Sequence, residues 1–111
     1  MLLDWLNTKA VDDFALLIAA DLVSRFPSTD LEFGPRKGPT RFKKAQELIF
    51  ARAETFVLAH RLNIYTKARL GTRFKMALTE AGYPMEFVDS MGYELTRFVA
   101  VKALKRPKAG S

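Results

Sequence analysis

The stretch from Thr40 to Ile64, TRFKKAQELIFARAETFVLAHRLNI, contains neither proline nor glycine and repeats its apolar residues with a helical period. Advancing by about 100° per residue from Phe42 brings Ala45, Ile49, Ala53, Phe56, Val57, His60 and Ile64 into one arc, the geometry of a buried helix face. A second, weaker arc carries Leu48, Ala51, Leu58, Ala59 and Leu62, with Lys43, Glu47, Glu54 and Arg61 as a polar stripe between the two. The pattern predicts a central helix with neighbours on two sides. Thr40 suits its N-cap, because the hydroxyl accepts from unpaired first-turn amides, and Pro39 resists extension of the helix backward.

The remaining segments read as helices that cover this one. A chain of 111 residues, 49% of them hydrophobic, suits a single domain that buries roughly two thirds of its unfolded surface. Leu2, Leu3, Trp5 and Leu6 form an apolar lead-in of a turn or half-helix, and Asn7 or Thr8 can cap the first full helix. Val11, Phe14, Ala15, Ile18, Leu22 and Phe26 then share one face up to Pro27, which predicts a helix near 9–26. Asp13, Asp21 and Ser24 share the opposite side, expected to be a solvated acidic face. Residues 27–39 carry three prolines and two glycines, the composition of a long surface loop. Leu31 and Phe33 are placed to pin its first half to the core.

Beyond His60 two registers compete. Either Asn63 caps a new helix near Ile64 that runs through Gly71, or the central helix continues to Leu70 and Gly71 ends it. A glycine inside a helix costs only about 1 kcal/mol, so the first register is preferred and the central helix spans about 40–62. The third helix, near 64–81, keeps Leu70, Phe74, Ala77, Leu78 and Ala81 in helical spacing and is closed by Gly82. Pro84 opens a last helix near 84–105, where Val88, Met91, Leu95 and Phe98 form the 3-4-3 seam of a nearly antiparallel neighbour. The fold expected is all-α, a four-helix bundle-like domain over residues 1–106 with a long loop between helices 1 and 2 and a C-terminal tail at 107–111.

Several function classes lose support from composition. Without cysteine there are no disulfides, thiolate chemistry or Cys-based metal sites, and no mark of an oxidising compartment, so a cytoplasmic location is expected. The most apolar run, Phe14 to Val23, is short for a bilayer and contains Asp21, so no membrane span is expected. Four scattered serines, a single histidine and no P-loop, dinucleotide fingerprint or HExxH motif argue against an enzyme and against a bound cofactor. Asp12 and Asp13 point apart on a helix, and Glu86 and Asp89 read as solvated carboxylates. His60, on the apolar face, is read as a core histidine bonded to a carbonyl or hydroxyl, because no carboxylate pair is placed beside it to make a metal site.

Charge is the stronger lead. Residues 1–35 hold six acids against Lys9 and Arg25, a net −4, whereas residues 36–111 hold sixteen bases against six acids, a net +10. Two cationic clusters stand out: Arg36, Lys37, Arg41, Lys43 and Lys44 at the start of the central helix, and Arg61, Lys67, Arg69, Arg73 and Lys75 along the third. No acid lies between Glu54 and Glu80 to neutralise the second, and Tyr65 is available to stack or donate a hydrogen bond. Gathered on one surface, these cations would suit the phosphate backbone of DNA or RNA. The contrasting reading is an assembly module. Trp5, Tyr83, Met85, Phe87 and Tyr93 exceed what one seam needs, and Met91, Leu95 and Phe98 would then contact a second copy or another protein, an acidic one included.

Overall fold

In the computed structural model residues 2–28 and 38–105 are described, with their side chains over 8–28 and 42–104. Among these residues the architecture is all-α and bundle-like: α1 (Leu2–Arg25), α2 (Gly38–Ala59), α3 (Ile64–Glu80) and α4 (Met85–Lys105). The expectations for Leu31, Phe33 and the tail at 107–111 lie outside the described residues.

Four interfaces close the bundle: α1 with α2, α2 with α4, α4 with α3, and α3 with α1. Side-chain pairs give their directions. Asp12–Arg69 and Phe26–Tyr83 are each separated by 57 residues, so α1 and α3 run parallel. Phe50–Phe98 and Glu54–Lys102 likewise keep a constant separation, so α2 and α4 are parallel. In Phe14–Phe56 and Phe26–Phe42 one number rises as the other falls, so α1 and α2 are antiparallel. Lys75 against Asp89 and Gly71 against Thr96 make α3 and α4 antiparallel too. The consecutive helices α2 and α3 are therefore joined across a diagonal, and α2 is one wall of four rather than a central helix.

Helix limits differ from expectation by more than one residue at three places, each for a local reason. α1 starts at Leu2 and not near residue 9, since no proline or glycine interrupts Leu2–Thr8 and the lead-in joins the same helix. α2 starts at Gly38, ahead of the expected Thr40 cap, which leaves Pro39 in the first turn, where its missing N–H would have had no helical acceptor. α2 stops at Ala59 rather than 62, because Asn63 is extended (φ −90°, ψ −177°) to cap α3. That cap is reciprocal: Thr66 N donates to Asn63 Oδ1 at 2.7 Å, and Asn63 N donates to Thr66 Oγ1 at 2.8 Å. The preferred register is thus the one found. Ile64 becomes the first residue of α3 and is exposed, not part of the buried face of α2. The far end of α3 closes as expected, with Gly82 at φ +95°.

The core is built from the predicted faces. Val11, Phe14, Ala15, Ile18, Leu22 and Phe26 of the first segment are buried, as are Ala45, Ile49, Ala53, Phe56 and Val57 of α2 and Leu70, Phe74 and Leu78 of α3. The second arc of α2 is not a packing face: Ala51, Leu58 and Ala59 are exposed and Leu48 and Leu62 half-buried. Phe14 stacks on Phe56 with centroids 4.2 Å apart, and His60 continues the stack at 4.3 Å. At the opposite end Phe26, Phe42, Tyr83 and Phe87 form an aromatic plug, where the Tyr83 hydroxyl donates to the Phe26 carbonyl beyond the last turn of α1. No helix among the described residues is long and apolar enough to cross a membrane.

Candidate binding surfaces

The cations of α3 meet carboxylates that sequence proximity does not reveal. Arg69 donates from Nε to Asp12 Oδ1 at 2.7 Å and from Nη2 to Oδ2 at 2.8 Å, a bidentate bridge from α3 to α1. Its Nη1 donates to the Tyr65 hydroxyl at 2.8 Å, so the tyrosine expected to stack on or hydrogen-bond to a nucleic acid helps hold the guanidinium. Arg73 Nε lies 3.5 Å from the same Asp12 oxygen. The Arg69 hydrogen bond holds the Asp12 carboxyl below its ordinary value of 3.8; burial opposes this, and the charges of Arg69, Arg73 and Lys9 add to it. Arg69 is raised in turn, first by Asp12 and also by Tyr65. Lys75 reaches Asp89 of α4 at 3.0 Å, its stem lying across Gly92, where a Cβ would collide with it.

The rest of the predicted cationic surface is divided. Arg36 and Lys37 lie outside the described residues, as does the side chain of Arg41. Lys43 and Lys44 are exposed on α2. Arg61 is exposed in the turn after α2, and Lys67 is half-buried in the first turns of α3. Because α2 and α3 sit on the diagonal, the two clusters do not share a helix interface, and the N-terminus of α2 and that of α3 lie at opposite ends of the bundle. The expectation of one continuous cationic face is not met among the described residues. The acidic face expected on α1 is also partly consumed: Arg52 Nε of α2 lies 2.8 Å from Asp21 Oδ2.

The assembly residues need correction as well. Met91 and Leu95 are 1% and 0% exposed, and Phe98 is half-buried in a stack with Phe50, centroids 4.6 Å apart. The seam is consumed inside the chain, because α4 packs against both α3 and α2. Of the surplus aromatic and methionine residues, Tyr83 is buried and Phe87 half-buried in the plug, while Met85 and Tyr93 are exposed; the Trp5 side chain lies outside those described.

What the outside of α3 and α4 offers is an open trough of about 710 Å³. Thr72, Lys75, Met76, Thr79 and Glu80 form one wall, Met85 and Asp89 the other, and the largely buried Tyr83 and Val88 the floor. Met85 is 77% exposed. Sequence reading missed this site because Met76 and Met85 belong to different helices and come together only through the turn at 81–84. Glycine at 82 and proline at 84 marked that turn, and it was the available signal.

His60 packs back on its own helix turn. Its Nδ1 lies 3.2 Å from the Phe56 carbonyl while its ring rests on Phe56. Among the described residues no group of three or more His, Cys, Asp or Glu side chains is placed to hold a metal ion. Compared with models of protein families, with curated proteins and with solved structures, the chain finds no match in any of the three.

Proposed function

We propose that this chain is a non-catalytic interaction domain that takes an amphipathic helix of a partner protein into the α3–α4 trough. The observation that supports this is the trough itself, with Met76 and Met85 standing over Tyr83 and Val88. Two antiparallel helices leave between them a groove into which the apolar ridge of a third helix fits. Methionine suits such a wall, because its unbranched, polarizable side chain adapts to different ridges. Thr72 and Thr79 supply hydroxyls at the rim, and the Lys75–Asp89 pair bridges the two walls.

The test is selection of helical peptides from a display library on the full chain, followed by affinity measurement on a Met76→Glu/Met85→Glu variant. The expected peptides carry apolar residues at i, i+3 or i+4 and i+7, and lose at least roughly tenfold in affinity on the variant, the scale set by removing two buried anchors. Equal affinity for both proteins would remove the trough as the site.

A second reading, nucleic-acid binding, rests on Lys43 and Lys44. Both are exposed near the start of α2 and have no carboxylate partner among the described residues, and Arg36, Lys37 and Arg41 precede them in sequence. In this reading binding to duplex DNA or RNA weakens with salt at a log-log slope of about −0.9 per phosphate contact on B-DNA. Replacement of Arg36, Lys37, Lys43 and Lys44 by glutamine flattens that slope if the reading holds.

A further inference from the structure

The bundle end that carries the α2–α3 turn has a composition unlike the rest of the surface. Two acid-free stretches meet there: Thr55 to Thr79, which crosses the turn, and Leu95 onward, which forms the last turns of α4. The register of α3 on α4, set by Gly71 against Thr96 and Lys75 against Gly92, places Leu104 opposite Asn63. The register of α2 on α4, set by Phe50 against Phe98, places Leu104 level with the last turn of α2. Neither convergence is visible in the sequence.

At this end large aliphatic side chains are left in water. Ile64 is 86% and Leu104 84% exposed, and Leu58, Val101 and Tyr65 are also exposed. Arg61 and Lys67 flank them on the α2–α3 side, and Lys102, which bridges to Glu54 at 3.2 Å, flanks them on α4. The acid closest in level on α1 is Asp4. Cations alone would suit any polyanion. Exposed isoleucine and leucine tips gain nothing from a phosphate backbone, whereas a bilayer with anionic headgroups satisfies both features: the tips enter the acyl boundary and the cations stay at the phosphates. Tyrosine is at home at the same depth.

We propose that this end of the bundle docks on an anionic lipid bilayer surface, with Ile64 and Leu104 as the inserted tips and Lys67 as a headgroup contact. The site is separate from the α3–α4 trough and does not depend on it.

The experiment is co-sedimentation of the full chain with vesicles of phosphatidylcholine alone or with one-third phosphatidylserine. The chain sediments with the anionic vesicles and stays in the supernatant with the zwitterionic ones. Lys67→Gln lowers the partition coefficient roughly five-fold, the scale of one headgroup contact. Ile64→Gln/Leu104→Gln, which leaves the charge unaltered, lowers it by about tenfold or more, the scale of two inserted tips, while circular dichroism retains the helical spectrum, as expected for two exposed positions. Met85→Glu, in the trough, leaves it unchanged. Failure to sediment with anionic vesicles, or unchanged partition of the Ile64/Leu104 variant, overturns the proposal, the latter because binding would then be by charge alone. Sedimentation velocity without lipid adds an independent outcome: a dimer abolished by the same double substitution would show that a second copy covers these tips, and would also overturn it.

Discussion

Asp12 holds Arg69 with both carboxylate oxygens, at 2.7 and 2.8 Å, and so ties the N-terminal half of α1 to that of α3 across 57 residues of chain. Its carboxyl titrates below the ordinary value of 3.8, so the bridge contributes stability that is complete at pH above the unfolded value and disappears as pH falls through the folded one. An Asp12→Asn variant is therefore less stable than wild type at pH 7. The two converge only in stronger acid, once the pH has fallen through the lowered folded value and the wild-type carboxylate is neutral as well. Urea titrations of both proteins in a pH series from about 7 down to about 2 check both halves of this expectation.

The approach of α3 to α4 depends on Gly71. A Cβ there would run into the Thr96 hydroxyl, which is itself bonded to the Gly92 carbonyl at 2.8 Å. Gly71→Ala gains about 1 kcal/mol of helix propensity and loses about 1–3 kcal/mol to overpacking, so the net change is destabilising. Adding Thr96→Ala removes the obstructing oxygen. The double variant then recovers much of the loss, and the denaturation midpoints of the two proteins measure the recovery.

Asn63 decides where one helix ends and the next begins. Replacing it with alanine removes the side-chain acceptor from Thr66 N and costs about 1 kcal/mol, within the range for helix caps. Thr66→Val removes the reciprocal acceptor and buries an aliphatic group in place of a hydroxyl at a buried position. Thermal melts of the two single variants and the double variant give their coupling, and strict additivity would contradict a reciprocal cap.

The Tyr83 hydroxyl donates to the Phe26 carbonyl, which has left the helical ladder of α1. Tyr83→Phe keeps the ring in the aromatic plug and leaves that carbonyl without its donor, at a cost of about 1–2 kcal/mol. Near-ultraviolet circular dichroism should retain the aromatic signal while the urea midpoint falls. Loss of both would mean the hydroxyl orders the plug as well as stabilising it.

Much of the architecture is legible from period and punctuation. The buried face of α1, the cap at Asn63, the left-handed Gly82 and the seam of α4 come from residue type and spacing, because each depends on neighbours within one or two turns. The pairing of helices is different. A helical period shows that a face is apolar but not which other face covers it, so Asp12 as the partner of Arg69 and Arg73 was invisible, and their charge read as uncompensated. The same gap hid the trough, whose walls come from Met76 and Met85 on separate helices, and led Met91 and Leu95, which are core, to be assigned to an interface.

The diagonal step from α2 to α3 also shapes how the bundle assembles. Helices α3 and α4 are antiparallel and joined by the short turn at 81–84, so their contact closes with little loss of chain entropy. Helix α1 meets α3 only when segments 57 residues apart come together, and α2 gains nothing by waiting beside its successor in sequence. Loop closure alone would therefore favour the C-terminal hairpin as the first contact and the docking of α1, with Asp12 onto Arg69, as a later one.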